Sequence, residues 1–194
     1  GTVLTSVTGT ANSDGSQTYT MTLAEGLTYN DGTPVTAKDY VFSLLLAGAP
    51  EIKAIGCTQA GLNHLVGYEA YVGGQTKTIA GVRLLSDSSF SLQISKEYLP
   101  FFYGLAMLDV RPYPISVIAP GCEVRDDGSG VYLTASTAAS SMQGDGYTPG
   151  EFSADMLRVT LLDPYTGYEY NPKVTTGPYT FESFDSNTFT ATFA

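Results

Sequence analysis

The sequence is poor in the side chains that most enzymes use for covalent chemistry. It has one histidine, His64, two cysteines, Cys57 and Cys122, and no tryptophan in 194 residues. Nucleophilic catalysis needs a base beside the nucleophile, and a single histidine between Leu62 and Leu65, with no Gly-x-Ser-x-Gly segment, gives no such pattern. Zinc sites need several histidine or cysteine ligands at short spacing, which the sequence does not contain. We therefore predict that the protein is not an enzyme and holds no metal and no cofactor.

Positive charge is also scarce. The chain has 9 Lys and Arg against 19 Asp and Glu, which gives a formal net charge of -10 at pH 7. An acidic surface repels both phosphate backbones and anionic membranes, so we predict no nucleic-acid partner. No apolar run approaches the roughly 20 residues that a membrane-spanning helix needs. No basic segment followed by an apolar one indicates a signal peptide, so any leader or membrane anchor is expected outside these residues.

Two features leave some chemistry open. In an oxidising compartment Cys57 and Cys122 could form one disulfide, whereas in a reducing compartment they would be free thiols. A disulfide requires Cα atoms within about 7 Å, a distance that the sequence does not give. Two acidic turns, at 126–130 and 145–146, contain part of the oxygen-rich pattern of calcium loops without the terminal glutamate, and we interpret them as solvated turns.

The most informative stretch lies between Leu23 and Leu46 and reads LAEGLTYNDGTPVTAKDYVFSLLL. Asp31-Gly32 is a turn dipeptide, because glycine accepts the positive φ that such turns often need. Pro34 fixes its own φ and favours an extended conformation at Thr33. The pattern therefore predicts that a strand end is followed by a tight turn.

A helix is predicted directly after this turn. Thr36 is the expected N-cap, with Asp39 three residues later in the arrangement of a capping box and near the positive end of the helix dipole. The apolar residues behind this cap recur at helical spacing and predict one buried face: Ala37, Tyr40, Val41, Leu44 and Leu45. Gly48-Ala49-Pro50 is expected to end the helix.

The remaining pattern mixes strands and helices. Period-two alternation and short apolar runs predict strands at 17–23, 79–85, 90–94, 179–184 and 188–193. Helical patterns occur at 58–71, 98–108 and 115–118, and glycines weaken the first of these patterns. Residues 119–149 are interpreted as a long surface loop with a helical turn near 135–142, and the tyrosine-rich turn at 165–170 as exposed. The fold class indicated is α+β, with helices packed on a mixed sheet.

Three separated segments resemble, in the same order, the extracellular or periplasmic solute-binding proteins of peptide-type ABC transporters, known as family 5. The first segment has the pattern Leu-x-x-Gly-x-x-x-x-Asp-Gly-Thr-Pro-Val-Thr-Ala-x-Asp-x-Val-Phe-Ser. The matching segments are Leu23–Ser43, then Ile79–Val82 with Phe90–Leu92 and Leu99–Phe102, and finally Asn171-Pro172 with Thr176–Tyr179. Together they cover most of the chain outside residues 119–165.

The resemblance implies part of a bilobed protein with the type II fold of periplasmic binding proteins. Residues 1–172 would form the smaller subdomain of the first lobe, with 119–165 as an insertion or long loop. Residues 173–194 would return to the main ligand-binding lobe, so we expect the sequence to be a fragment. Such proteins capture oligopeptides outside the cell and deliver them to ABC permease subunits. The expected location is extracytoplasmic, either periplasmic or as a cell-surface lipoprotein.

The resemblance also suggests where a ligand would lie. The smaller subdomain walls one side of the cavity, and the loop after the first helix, residues 55–63, is nearest to it. Gln59 and Asn63 are candidate ligand-binding residues there, with a purely structural role as the alternative for each. The other motif residues are expected to serve the fold: Asp31, Gly32, Thr33, Pro34, Thr36, Asp39, Gly177, Pro178 and Tyr179.

Two other functions compete with this interpretation. A secreted adhesion or interaction domain would be favoured if the first strand and helix packed in a sandwich without a helical layer. A secreted hydrolase would require His64 within hydrogen-bond reach of a serine and an aspartate. Within the resemblance itself, the ligand stays open among oligopeptides, dipeptides, sugars and metal chelates.

Overall fold

The computed structural model describes residues 3–100 and 108–194 and centres on a four-stranded sheet. Its strands are β1 (Leu4–Ala11), β2 (Gln17–Leu23), β3 (Val82–Ser86) and β4 (Ser89–Ile94). They lie in the order β1-β2-β4-β3, and each neighbouring pair is antiparallel. The expected mixed sheet is thus corrected to an antiparallel one, because β1–β2 and β3–β4 are hairpins and β2 pairs with β4 in the opposite direction.

The described structure also contains five α-helices and two further hairpins. The helices are α1 (Ala37–Gly48), α2 (Pro50–Ala54), α3 (Tyr68–Val72), α4 (Ile115–Ile118) and α5 (Ala154–Thr160). The hairpins are β5 (Cys122–Asp126) with β6 (Val131–Ala135), and β7 (Phe181–Asp185) with β8 (Thr190–Phe193). This confirms the α+β class. Over the described ranges, no helix has the length and apolar character needed to cross a membrane.

The turn before α1 forms as predicted. Gly32 has a φ of +84°, which is the left-handed conformation that glycine favours. The Asp31 carboxylate accepts hydrogen bonds from the backbone N–H and the hydroxyl of Thr33, at 2.9 and 2.6 Å. Thr28 and Pro34 then pair as an isolated antiparallel bridge. The residues of this motif therefore stabilise the turn and lead the chain into α1.

The predicted cap of α1 is also present. Thr36 is the N-cap, and its backbone N–H donates a 2.8 Å hydrogen bond to the Asp39 carboxylate in a capping box. The Tyr40 ring stacks on Phe90 of β4, with 5.6 Å between ring centroids. Since a helix thus covers one face of the sheet, the arrangement is not a sandwich without helices, and an adhesion domain is not favoured.

Helix α1 is more completely buried than its predicted single face. Ten of its 12 residues are buried, including Phe42 and Leu46 outside that face. The reason is a second layer, because the β5–β6 hairpin contacts α1 as well as β3. The helix therefore lies at the centre of the core, between the main sheet and this hairpin.

The interpretation of residues 119–149 as a long surface loop is wrong. They contain the β5–β6 hairpin, in which Val124 and Val131 are buried. An ion pair fixes this hairpin to the main sheet, since the Asp126 carboxylate accepts hydrogen bonds from Arg83 Nε and Nη2 at 2.7 and 2.9 Å. The predicted helical turn near 135–142 corresponds to a 3₁₀ helix at Ala139–Ser141.

Two helical predictions need correction. The pattern at 58–71 yields only the short α3, because Gly67 takes a φ of +79° and lies outside the helix as its N-cap. No helix begins at Tyr98, which ends a 3₁₀ helix at Lys96–Tyr98, and Leu99 is extended. A residue before proline avoids the helical conformation, which explains this break. The rest of the predicted helix falls largely on residues 101–107, outside the described residues.

The segment that leads into the C-terminal β7–β8 hairpin is hydrogen-bonded to the body of the protein at Asn30, whose backbone N–H donates to Thr175 O at 2.9 Å. The Asn30 amide donates to Lys173 O at 2.9 Å and accepts from the Thr175 N–H at 3.0 Å. The aromatic rings of the hairpin are largely exposed, Phe189 to 83%. Both predicted strands at 179–184 and 188–193 are present, shifted by up to two residues.

Candidate functional site

An apolar groove of about 630 Å³ lies between the C-terminal end of α1, α2 and α5. Its buried floor comprises Leu46, Ile52, Ile118 and Leu161. Here it is called the α1–α5 groove. The sequence forms this floor because the apolar positions of four short elements meet where α1 ends and the chain turns back.

The exposed rim of the groove comes partly from the loop after the first helices. Thr58 and Ala60 of this loop line the groove, as does the half-buried Cys57. On the other side stand Tyr113, Tyr168 and Glu169. Among the described residues that line the groove, Glu169 alone carries a charge. The groove is therefore apolar at its base and weakly polar at its opening.

Two tyrosines form a fixed aromatic wall of the groove. The Tyr168 hydroxyl donates a 2.9 Å hydrogen bond to Val174 O. Its ring meets Tyr113 edge-on, with 6.1 Å between centroids. Burial, with a smaller contribution from Tyr113, raises the pKa of Tyr168 to about 12, so its hydroxyl is neutral at physiological pH. Tyr168 was expected to be exposed together with Tyr165 and Tyr170. Tyr165 and Tyr170 are exposed, whereas Tyr168 is half-buried.

Hydrogen bonds hold the segment that carries Tyr168 against α5. Its backbone N–H donates to Thr160 O at 2.8 Å, and the N–H of Glu169 donates to Leu161 O at 3.1 Å. The Thr160 hydroxyl lies 2.7 Å from Ile118 O, which joins α5 to α4. The walls of the groove are thus set by the fold and do not depend on a ligand to order them.

The two predicted ligand-binding residues lie apart. The Gln59 amide donates to Gly48 O and Ala49 O, at 2.8 and 3.1 Å, and so satisfies carbonyls at the end of α1. Asn63 lines a different cleft of about 450 Å³, together with Glu97 and Tyr98. Their ligand-binding role stays a prediction, and the structure does not bring the two side chains into one site.

Cys57 lines the groove, whereas Cys122 is buried and His64 packs beside Tyr98. Cys57 and Cys122 are both free, so the structure does not contain the disulfide that was left open between them. Burial raises the pKa of the Cys122 thiol to about 11. The His64 ring meets Tyr98 edge-on at 6.3 Å, while the nearby Ser95 hydroxyl donates to Glu97. In the described ranges, no three His, Cys, Asp or Glu side chains are grouped so as to hold a metal ion.

The remaining motif residues, Gly177, Pro178 and Tyr179, lead into β7. With Phe193 they line an open apolar depression of about 400 Å³. Tyr179 is exposed. Sequence reasoning assigned no role to the groove residues Tyr113 and Leu161. No sequence pattern showed that these residues meet at the end of α1.

Comparison with protein families gives one match over nearly the whole chain. The model described as bacterial extracellular solute-binding proteins, family 5 Middle, matches residues 5–192. The periplasmic oligopeptide-binding protein OppA of Salmonella typhimurium is 31% identical over 102 residues, which are 52% of this chain and 19% of that protein. The oligopeptide-binding protein OppA of Lactococcus lactis is 41% identical over 66 residues, 34% of this chain and 11% of that protein.

A solved structure agrees at the level of the fold. Lactococcal OppA, complexed with an endogenous peptide in the closed conformation, superimposes with a TM-score of 0.59 and 19% identity. The match covers 95% of this chain and 27% of that one. The present chain thus corresponds to a minor part of the length of the proteins it resembles. Its fold is that of the corresponding part of a periplasmic binding protein.

Proposed function

The chain belongs to the bacterial extracellular solute-binding proteins of family 5, and we propose that it forms part of the substrate-binding component of an ABC importer. The observation that carries this proposal is the family match over residues 5–192. The full-length protein would capture oligopeptides outside the cell, deliver them to permease subunits and leave them chemically unchanged. It would work in the periplasm or as a cell-surface lipoprotein.

Within that protein we place residues 1–172 in the smaller subdomain of the first lobe, including 119–165 as an insertion. Residues 173–194 would return to the main lobe. The exposed aromatic rings on the β7–β8 hairpin support this division. An isolated hairpin is marginally stable in water, so further contacts to it are expected. Gln59 and Asn63 remain proposed contacts to the ligand, beside the capping role of Gln59.

The proposal is tested by peptide binding to the full-length protein that contains this segment. Isothermal titration calorimetry with a set of defined tripeptides to pentapeptides is expected to give saturable binding, with full peptide recovered unhydrolysed by mass spectrometry. The 194-residue chain alone is expected to bind the same peptides weakly or not at all, because half of the cleft would lie outside it, the chain spanning 27% of the length of lactococcal OppA. Micromolar binding by the isolated chain would contradict this division of the site, and hydrolysis would contradict a transport role.

A further inference from the structure

Three consecutive residues between the body of the protein and the β7–β8 hairpin are held by their backbone carbonyls. Asn30 Nδ2 donates to Lys173 O, and the Asn30 backbone N–H donates to Thr175 O, both at 2.9 Å. Between them, the Tyr168 hydroxyl donates to Val174 O at 2.9 Å. The Asn30 side-chain oxygen also accepts from the Thr175 N–H at 3.0 Å. Lys173, Val174 and Thr175 are called the clamped segment here.

The groups that hold the clamped segment belong to fixed parts of the fold. Asn30 lies in the turn before α1, where the Tyr29 N–H donates to Thr33 O at 2.9 Å and Tyr29 is only 4% exposed. The Tyr168 N–H donates to Thr160 O at 2.8 Å, which ties this residue to α5. A donor that is itself held by packing and hydrogen bonds fixes the geometry of its partner. The clamped segment is therefore attached to the body at two fixed points.

The clamped segment also contacts the hairpin that follows it. Lys173 Nζ lies 5.8 Å from the ring centroid of Phe181, the first residue of β7, a distance at which a cation and an aromatic ring attract. The Phe181 ring meets Phe193 of β8 edge-on, with 5.9 Å between centroids. A short series of contacts thus relates the direction of the hairpin to the turn that carries Asn30.

From these contacts we propose that Asn30 is a positioning residue for the ligand cleft. It sets the angle at which the smaller subdomain joins the main lobe, and it acts through this junction without contacting the ligand. The inference rests on the function proposed above and on the assignment of residues 173–194 to the main lobe. Without the Asn30 side chain the junction adopts other angles, so fewer molecules have the angle that binds. Apparent affinity falls with that fraction, whichever peptide is bound.

The experiment uses the full-length protein that contains this segment, together with a set of defined tripeptides to pentapeptides. Asn30→Ala should weaken the binding of every peptide by about three- to tenfold, in the same proportion for each. Hydrogen–deuterium exchange of its Thr175 amide should be about tenfold or more faster, because this N–H loses its acceptor.

Two further variants complete the experiment. Asn30→Asp keeps an oxygen that accepts from the Thr175 N–H, so it should retain slow exchange and recover at least part of the affinity. Asn12→Ala is the matched control, since the Asn12 amide donates only within the β1–β2 turn region, to the hydroxyls of Ser16 and Thr18. It should behave as the parent protein in both measurements.

Each outcome bears on a different statement. Unchanged Thr175 exchange in Asn30→Ala, or faster exchange with unchanged peptide affinity, would overturn the positioning role and leave the proposed transport function intact. A loss of affinity confined to some peptides would also overturn it, because Asn30 would then contact the ligand. The same holds for a loss that Asn30→Asp fails to lessen although its exchange is slow. Absence of peptide binding by the parent protein would overturn the proposed function itself, and the positioning role with it.

Discussion

At the scale of single residues, Asp126 joins the two layers that enclose α1. Its side chain is 9% exposed and accepts hydrogen bonds from Arg83 and from the backbone N–H groups of Leu84 and Gly128. Burial alone would raise the pKa of this carboxyl, but the hydrogen bonds from Arg83, Gly128 and Leu84 outweigh burial and lower it. The ionised form is therefore the one that the fold stabilises.

Replacing this carboxylate should cost stability in a pH-dependent way. Asp126→Asn turns an amide N–H₂ toward donors and should lower the free energy of unfolding at pH 7 by about 1–3 kcal/mol. Because the folded pKa is below the unfolded value of about 3.9, the contribution of the carboxylate is complete above that pH and is lost as the pH falls through the folded pKa. Urea unfolding of both proteins at pH 7 and pH 3 should show the difference shrinking at pH 3. Asp145→Asn, at an exposed acid, is the control, and a difference that stays constant with pH would contradict the argument.

At the scale of elements, the contact between α1 and α3 depends on a glycine. A Cβ added to Gly48, the last residue of α1, would lie 2.7 Å from the ring of Tyr68. That ring is completely buried and its hydroxyl donates to Ala60 O at 2.7 Å, so it has little room to move. The side of α1 that faces α3 therefore has no space for a methyl group.

Gly48→Ala should consequently destabilise the chain, although alanine is the better helix former. We expect a loss of about 1–3 kcal/mol in the free energy of unfolding, typical of overpacking a full core. Gly61→Ala is the matched control, because no heavy atom lies within 4 Å of its added Cβ, and it should change stability by less than about 0.5 kcal/mol. Equal stability of the two variants in urea unfolding would contradict this prediction, because it would show that the Tyr68 ring can move aside for the added methyl group.

The elements that could be predicted are those whose signals are local. The Asp31-Gly32 turn, the Thr36 cap and the alternation of β2 depend on neighbours in sequence, and all three are present. The β5–β6 hairpin was missed because its glycines and acids suggested a loop, while its buried alternation, Val124 and Val131, has meaning only against α1. Strand β1 was missed for a related reason, since an exposed edge strand lacks a buried face to set its pattern.

The candidate site was less predictable than the fold. Three residues of the loop at 55–63 line the groove, while the position of this loop beside a ligand stays a prediction. The opposite wall comes from Tyr113 and Tyr168, whose meeting depends on how α4 and α5 pack. Gln59 could equally have capped a helix or faced a cavity, because an amide side chain suits both. Which of these roles such a side chain takes depends on long-range packing, which cannot be predicted from a single sequence.

At the scale of the whole molecule, the β7–β8 hairpin is the surface whose exposed rings most clearly indicate contact with a further part of the protein. Phe184 and Phe189 form an edge-on pair, 6.4 Å between centroids, while both rings remain largely exposed. Exposed aromatic rings of this kind favour association of the isolated chain. In a longer protein they would instead be covered by the lobe to which we assign residues 173–194.

The double substitution Phe184→Ser with Phe189→Asn tests this assignment, since asparagine tolerates the φ of 53° at position 189. In the 194-residue chain it should reduce self-association, measured by light scattering, and leave the unfolding midpoint nearly unchanged, because the rings bury little surface there. In the full-length protein the same change should lower the free energy of unfolding by several kcal/mol, as expected for two buried aromatic rings. Thr192→Ser on β8 is the control in both proteins. If the double variant were as stable as the control in the full-length protein, the hairpin would be free of the main lobe, and residues 173–194 would have to be reassigned to a surface open to other partners.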